Sequence, residues 1–160
     1  MNYYNYMLTV QQEAIKWAIK KDIDIRCQED TTNDVVLITD MKGQAAFTVP
    51  RKYFLINTES PAIKTMTTLI DIFTSAKLGG RHIEITNDVF QANPSTQLRK
   101  MHSPEDDVDM WINNKFLGYF KGIKHLRYGY FEHRSSKMIC AYLDDTFEVL
   151  GVAVPMRPKE

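Results

Sequence analysis

The chain has 160 residues, of which 44% are hydrophobic and 25% charged. Those are ordinary values for a globular protein with a core, and they exclude a disordered chain, a collagen-like repeat and a disulfide-stapled miniprotein. Twenty Lys and Arg balance twenty Asp and Glu, so no global field points to nucleic acid or membrane, and a charged partner must be met by a local patch. The length suits a single domain over residues 1–160.

Residues 1–7, rich in Asn and Tyr, read as an ordered arm or edge strand carrying Tyr3, Tyr4 and Tyr6. Residues 8–21 read as a short strand entering a helix, with Thr9 and Gln12 at capping-box spacing. Val10, Ala14, Trp17 and Ala18 share one side of that helix, Ile15 lies at its margin, and Gln12, Glu13, Lys16 and Lys20 lie opposite. A half-buried strand is expected at 22–26 and a polar turn at 29–33. A β-hairpin follows, with strands at 34–40 and 45–49 around Met41-Lys42-Gly43. Ser60-Pro61 reads as a helix start, with Ile63, Met66, Ile70 and Phe73 as the buried stripe and Gly79-Gly80 as the stop.

Residues 81–86 read as a strand, and 87–109 as a long irregular acidic loop. A third helix opens at Asn113 or Asn114, with Ile112, Phe116, Phe120 and Ile123 on one face. Three strands follow at 126–133, 137–143 and 146–154. The expected fold is therefore α+β, with about three helices on a mostly antiparallel sheet of about eight strands. A helix leading into strands appears early and again late, a weak two-fold plan.

Two cysteines far apart in sequence, Cys27 and Cys140, suit small buried residues in a reducing cytosol. No apolar run approaches the roughly 18 residues that span a bilayer, and the N-terminus lacks the basic region of a signal peptide. No membrane association is expected.

Catalytic and metal-binding patterns are sparse. His82, His102, His125 and His133 form no H-x-x-H or H-E-x-x-H pair, and neither cysteine lies in a C-x-x-C. His102 near Asp106, Asp107 and Asp109 reads as a solvated acidic loop rather than a cation site. There is no G-x-S-x-G, no activated thiol motif and no glycine-rich phosphate cradle. No metal or cofactor is expected. A nuclease alternative rests on Asp34, Asp40 and Lys42, since carboxylates at a strand end can hold magnesium while a lysine steadies the attacking water. The same residues also describe a common hairpin turn.

The strongest local charge lies at 113–138, where Lys115, Lys121, Lys124, Arg127, Arg134 and Lys137 face Glu132 alone. On the third helix Asn114, Lys121 and His125 project opposite the apolar stripe, flanked by Lys115 and Lys124. Gly118 and Gly122 share this outer side, at a cost of roughly 1 kcal/mol each against alanine in a helix interior. A face that omits side chains and keeps charge at its borders admits another backbone closely. Lysines there would neutralise phosphates without reading bases.

Ile112-Asn113-Asn114-Lys115-Phe116-Leu117 and Phe120-Lys121-Gly122-Ile123 open a helix that feeds three strands, and the chain closes on Val152-Ala153-Val154-Pro155-Met156-Arg157. This segment resembles the C-terminal domain of the bacterial sliding clamp, the beta subunit of DNA polymerase III. Met7-Leu8-Thr9-Val10 is similar to the start of a clamp domain. The resemblance covers residues 112–157, and more faintly 7–21. It implies sheets joined edge to edge, with helices that slide on DNA through phosphate contacts. Lys16, Lys20, Lys115, Lys121, Lys124 and Arg127 would then be the DNA-facing residues. Val154, Pro155, Met156 and Arg157 would form part of a pocket for peptides of replication proteins.

A clamp protomer carries three such domains and this chain has room for one, so a similar ring would need a homo-oligomer of six copies. The expectation is a non-enzymatic clamp-like protein that engages DNA or replication proteins, in the manner of a phage or mobile-element accessory factor. The alternative class is a protein-interaction module or inhibitor that binds no DNA.

Overall fold

The structure, a computed structural model, describes residues 2–39 and 44–158. Three α-helices and ten strands lie within those residues, an α+β arrangement with mostly antiparallel pairing. The helices are α1 (Asn2–Lys21), α2 (Leu69–Gly79) and α3 (Asn114–Gly118). The strands are β1 (Ile25–Asp30), β2 (Val35–Thr39), β3 (Ala45–Pro50), β4 (Ile63–Thr65), β5 (Arg81–Asn93), β6 (Thr96–Ser103), β7 (Val108–Asn113), β8 (Leu126–His133), β9 (Ser136–Leu143) and β10 (Val149–Ala153).

They form one sheet in the order β4-β1-β2-β3-β10-β9-β8-β5-β6-β7. Its middle is two antiparallel blocks of three, β1-β2-β3 and β10-β9-β8, joined by antiparallel pairing of β3 with β10. A helix precedes each block, α1 the first and α3 the second. Tyr6, Met7, Val10 and Ala14 of α1 share one apolar core with Phe116, Leu117 and Phe120 of the α3 segment. Leu69, Phe73 and Ala76 of α2 cover the opposite face, with Phe131, Met138 and Val152 beneath them. This is the alternation a strand requires when both its faces are covered.

The centre of the molecule lies where the two blocks meet. β10 carries a bulge between Val149 and Gly151, so Leu150 is an extra residue opposite β9. The Tyr6 hydroxyl donates to the Leu150 carbonyl at 2.7 Å and lies 2.9 Å from the Thr48 carbonyl of β3. Its ring stacks on Phe120 with centroids 5.2 Å apart, and Phe120 meets Phe116 edge-on at 5.0 Å. Gly151 makes room for this cluster, because a methyl group there would sit 2.6 Å from Phe120 Cζ and 3.2 Å from Phe47 Cδ1.

Several expectations need correction. Residues 2–10 belong to α1, not to an arm and strand, because burying the Tyr6 ring and its hydroxyl contact holds the first turns helical. Thr9 therefore lies inside the helix, away from any cap. The strand after α1 is Ile25–Asp30 rather than 22–26; Asp30 closes the following turn by accepting from the Thr32 and Asn33 amides. Ser60 accepts from the Ala62 amide, but the turn opens no helix. Instead Ile63–Thr65 pairs with β1 in parallel, and α2 begins at Leu69. The Gln28 side chain satisfies one amide of the first turn of α2 by accepting from Ile70 at 2.9 Å.

The acidic loop at 87–109 is for the most part strand. β5 pairs with β8 through Arg81–Ile83 and then with β6 from Glu84 onward, with bulges after Ile85 and Gln91. β7 completes the extension. The third helix is short: past Gly118 the chain continues in tight turns, and Gly122 adopts φ 81, a left-handed conformation that favours glycine.

Both thiols are buried, and burial pushes that of Cys140 up to about 12 and that of Cys27 upward. A thiol-reactive disulfide reagent at pH 8 should therefore leave both unmodified in the folded chain and titrate two after unfolding. Gly151→Ala should cost about 1–3 kcal/mol in denaturant unfolding, because the fully buried Phe120 ring must shift to admit the methyl group.

Candidate functional site

The sequence-derived cationic residues fall on three parts of the fold. Lys16 and Lys20 are exposed on the second half of α1. Lys115 is in α3, Lys121 in the turn after it and Lys124 just before β8, all exposed. Asn113 caps α3, its side-chain oxygen accepting from the Lys115 amide at 3.0 Å. That cap sets the direction in which α3 leaves β7.

Two contacts set the two helical segments side by side. Lys115 Nζ lies 3.1 Å from Glu13 Oε2, and Tyr6 stacks on Phe120. Because Tyr6, early in α1, meets Phe120 at the far end of the α3 segment while Glu13, later in α1, meets Lys115 at its start, the two run antiparallel. A groove between them is lined by Asn5, Thr9, Glu13, Lys115, Gly118 and Lys121. Gly118 is exposed, and a methyl group added there would meet nothing within 4 Å. At 1.5 Å per residue, Lys20 stands roughly 22 Å along α1 from Asn5, its groove neighbour near Lys121. The cations thus occupy both ends of the face, with the Glu13–Lys115 pair between them.

Arg127 stands apart. In β8 the side chains of Leu126, Tyr128 and Tyr130 join the core under α1 and α3, so Arg127 points to the α2 side. It lies across from Tyr142, which packs against the α2-side core, and its Nε is 3.2 Å from Asp144 Oδ2. His125 Nδ1 is 3.4 Å from the same carboxylate.

The four tail residues divide by alternation. The Val154 amide donates to the Gln44 carbonyl and the Met156 amide to the Trp111 carbonyl, both at 2.8 Å. This carries the tail from the edge of β3 to β7. Val154 and Met156 line a cleft with Trp17, Phe47, Tyr119 and Ala14, and Glu13 and Lys115 at its rim. Pro155 and Arg157 are outside that lining. Trp17 lies beneath the ammonium groups of Lys20 and Lys21, each 5.5 Å from its ring centroid. The contribution of Trp17 was hidden in the sequence, where it read only as core.

Of the nuclease-type residues, Asp34 sits in a turn with its carboxylate 3.2 Å from Arg51 Nε. Asp40 and Lys42 lie outside the described residues. Among the described residues no group of three or more His, Cys, Asp or Glu could hold a metal ion. His102 pairs with Asp109 at 2.7 Å; this hydrogen bond, then Lys100 nearby, holds the Asp109 carboxyl below its ordinary value. Asp106 turns instead toward the Tyr130 hydroxyl and Arg81. No described helix is long and apolar enough to cross a membrane.

No protein-family model, curated protein or solved structure matches the chain.

The Glu13–Lys115 pair is solvent-facing, so Glu13→Gln should change folding stability by no more than about 0.5 kcal/mol in urea unfolding.

Proposed function

We propose that the chain is a non-enzymatic, clamp-like protein that contacts the DNA backbone through the face shared by α1 and α3. The observation that carries this reading is the antiparallel placement of the two helical segments on one side of the sheet, with Lys16, Lys20, Lys115 and Lys121 along their common face. The occurrence of a helix followed by three antiparallel strands, twice, supports the clamp resemblance. Lysines bind phosphate as mobile point charges, so recognition would be independent of base sequence. The open side at Gly118 lets a sugar–phosphate backbone approach. Arg127 has no part in this contact. Two buried thiols suit a reducing cytosol.

A second reading is favoured by one observation: Val154, Met156 and Phe47 line the apolar part of a cleft beside Trp17. That cleft suits an apolar side chain of a replication protein, with or without DNA. Capture of a protein partner that survives lysine changes and is lost in Val154→Asp would favour this second reading.

Fluorescence anisotropy with a labelled duplex at about 50 mM salt tests the leading reading. The triple change Lys16→Glu, Lys20→Glu, Lys121→Glu should weaken binding by at least about tenfold, and Arg127→Ala should leave it unchanged. With Lys115 paired to Glu13, neutralising about three phosphates gives a slope near −2.7 for log K against log salt. Glu13→Gln frees Lys115 and should tighten binding. A parent chain that binds no duplex at this salt overturns the reading.

A further inference from the structure

The outer face of α1 carries a feature that neither the core nor the lysine face uses. Tyr4, Leu8, Ile15 and Ile19 are all exposed, Ile19 at 78%. At 100° per residue they fall within roughly 60° of arc, as a single stripe. Leu55, 74% exposed, extends the patch sideways. It is held there because its amide donates to Gln11 Oε1 at 2.7 Å while Gln11 Nε2 donates to the Tyr53 carbonyl. Leaving this much apolar side chain in water is costly for a monomer.

The spacing of the stripe says what covers it. From Tyr4 to Leu8 is four residues, from Leu8 to Ile15 seven, and from Ile15 to Ile19 four. The pattern reads the same from either end. Two copies of α1 packed antiparallel about a two-fold axis between Gln11 and Gln12 therefore place Tyr4 against Ile19 and Leu8 against Ile15, on both sides at once. That is the condition for an isologous contact. Charge selects the same orientation: the cations of α1 (Lys16, Lys20 and Lys21) are all in its second half. A parallel pair would stack six ammonium groups at one end, whereas the antiparallel pair separates them and opposes the two helix dipoles.

We propose that the chain forms a two-fold homodimer through the Tyr4–Leu8–Ile15–Ile19 stripe of α1, packed antiparallel against the same stripe of a second copy. The lysine face lies around the helix from the stripe, so the dimer leaves Lys16 and Lys20 open.

Sedimentation equilibrium of the full chain at about 100 μM should give twice the 18.6 kDa mass of one chain. Leu8→Glu puts two carboxylates into the apolar contact and should weaken association by about a hundredfold or more, with the unfolding midpoint of the monomer unchanged. Orientation is read by disulfide formation, which Cys27 and Cys140 leave undisturbed because they are buried. An oxidised mixture of Leu8→Cys and Ile15→Cys chains should give the mixed disulfide, and neither variant alone should cross-link. A monomeric parent at that concentration, or a Leu8→Cys chain that cross-links to itself, overturns the proposal.

Discussion

One contact organises this molecule: the Tyr6 ring against Phe120, over the bulge at Gly151. The two three-strand blocks meet at β3 and β10, and that seam lacks the long hydrogen-bond ladder that β8 and β9 share. What closes it is side-chain packing from above. Tyr6 comes from the helix of the first block, Phe120 from the helical segment of the second, and the hydroxyl of Tyr6 bonds to carbonyls on both seam strands. Burial, more than the nearby Tyr3 and Glu148, holds that phenol well above its ordinary pKa, which matches a group serving as a fixed donor. The same contact fixes the angle between α1 and α3, and so it also determines where the surface lysines stand.

The consequence for function is that the basic face is a by-product of core geometry rather than of loop placement. Residues that a ligand would meet are carried on helix turns whose inner faces are buried aromatics. Such a face is pre-organised and loses little conformational freedom on binding. The Glu13–Lys115 pair at its middle limits the field: it cancels one cation where the helices are closest and leaves net charge at the ends. A polyanion crossing the face would be held at two places roughly 22 Å apart, a geometry that suits an extended backbone better than a compact anion.

Much of this was legible in the sequence wherever one face of an element is apolar. The strands at 35–39, 45–50 and 126–143 show β-branched and aromatic runs bounded by turn residues, and Phe116, Phe120 and Ile123 announced the buried side of the third helix. The strand opening at Arg81 was legible, but the region 87–113 was not, for a physical reason. Most of β5 is open to solvent, and β6 buries Leu98 and Met101 three residues apart, so neither strand shows the period-two apolar alternation that marks a half-buried strand. The start of α1 was hidden because its tyrosines favour strands locally, while a single buried ring decides the matter through tertiary packing. Ser60-Pro61 is a sound local signal for a helix, yet pairing of Ile63 with Ile25 prevails there. Arg127 illustrates the limit of charge counting: it lies in the basic stretch, but strand alternation sends it to the other side of the sheet. The outer stripe of α1 became visible only once residues 2–10 were known to be helical.

The central claim is that α1 and the α3 segment together form the surface that meets a polyanion. Backbone amide chemical-shift mapping with a short DNA duplex at low salt tests it most directly. Perturbed amides are expected to cluster at Asn5, Thr9, Lys16, Lys20, Lys115, Gly118 and Lys121. Shifts confined to α2 or to the β5–β6 extension, or none at all, would contradict it.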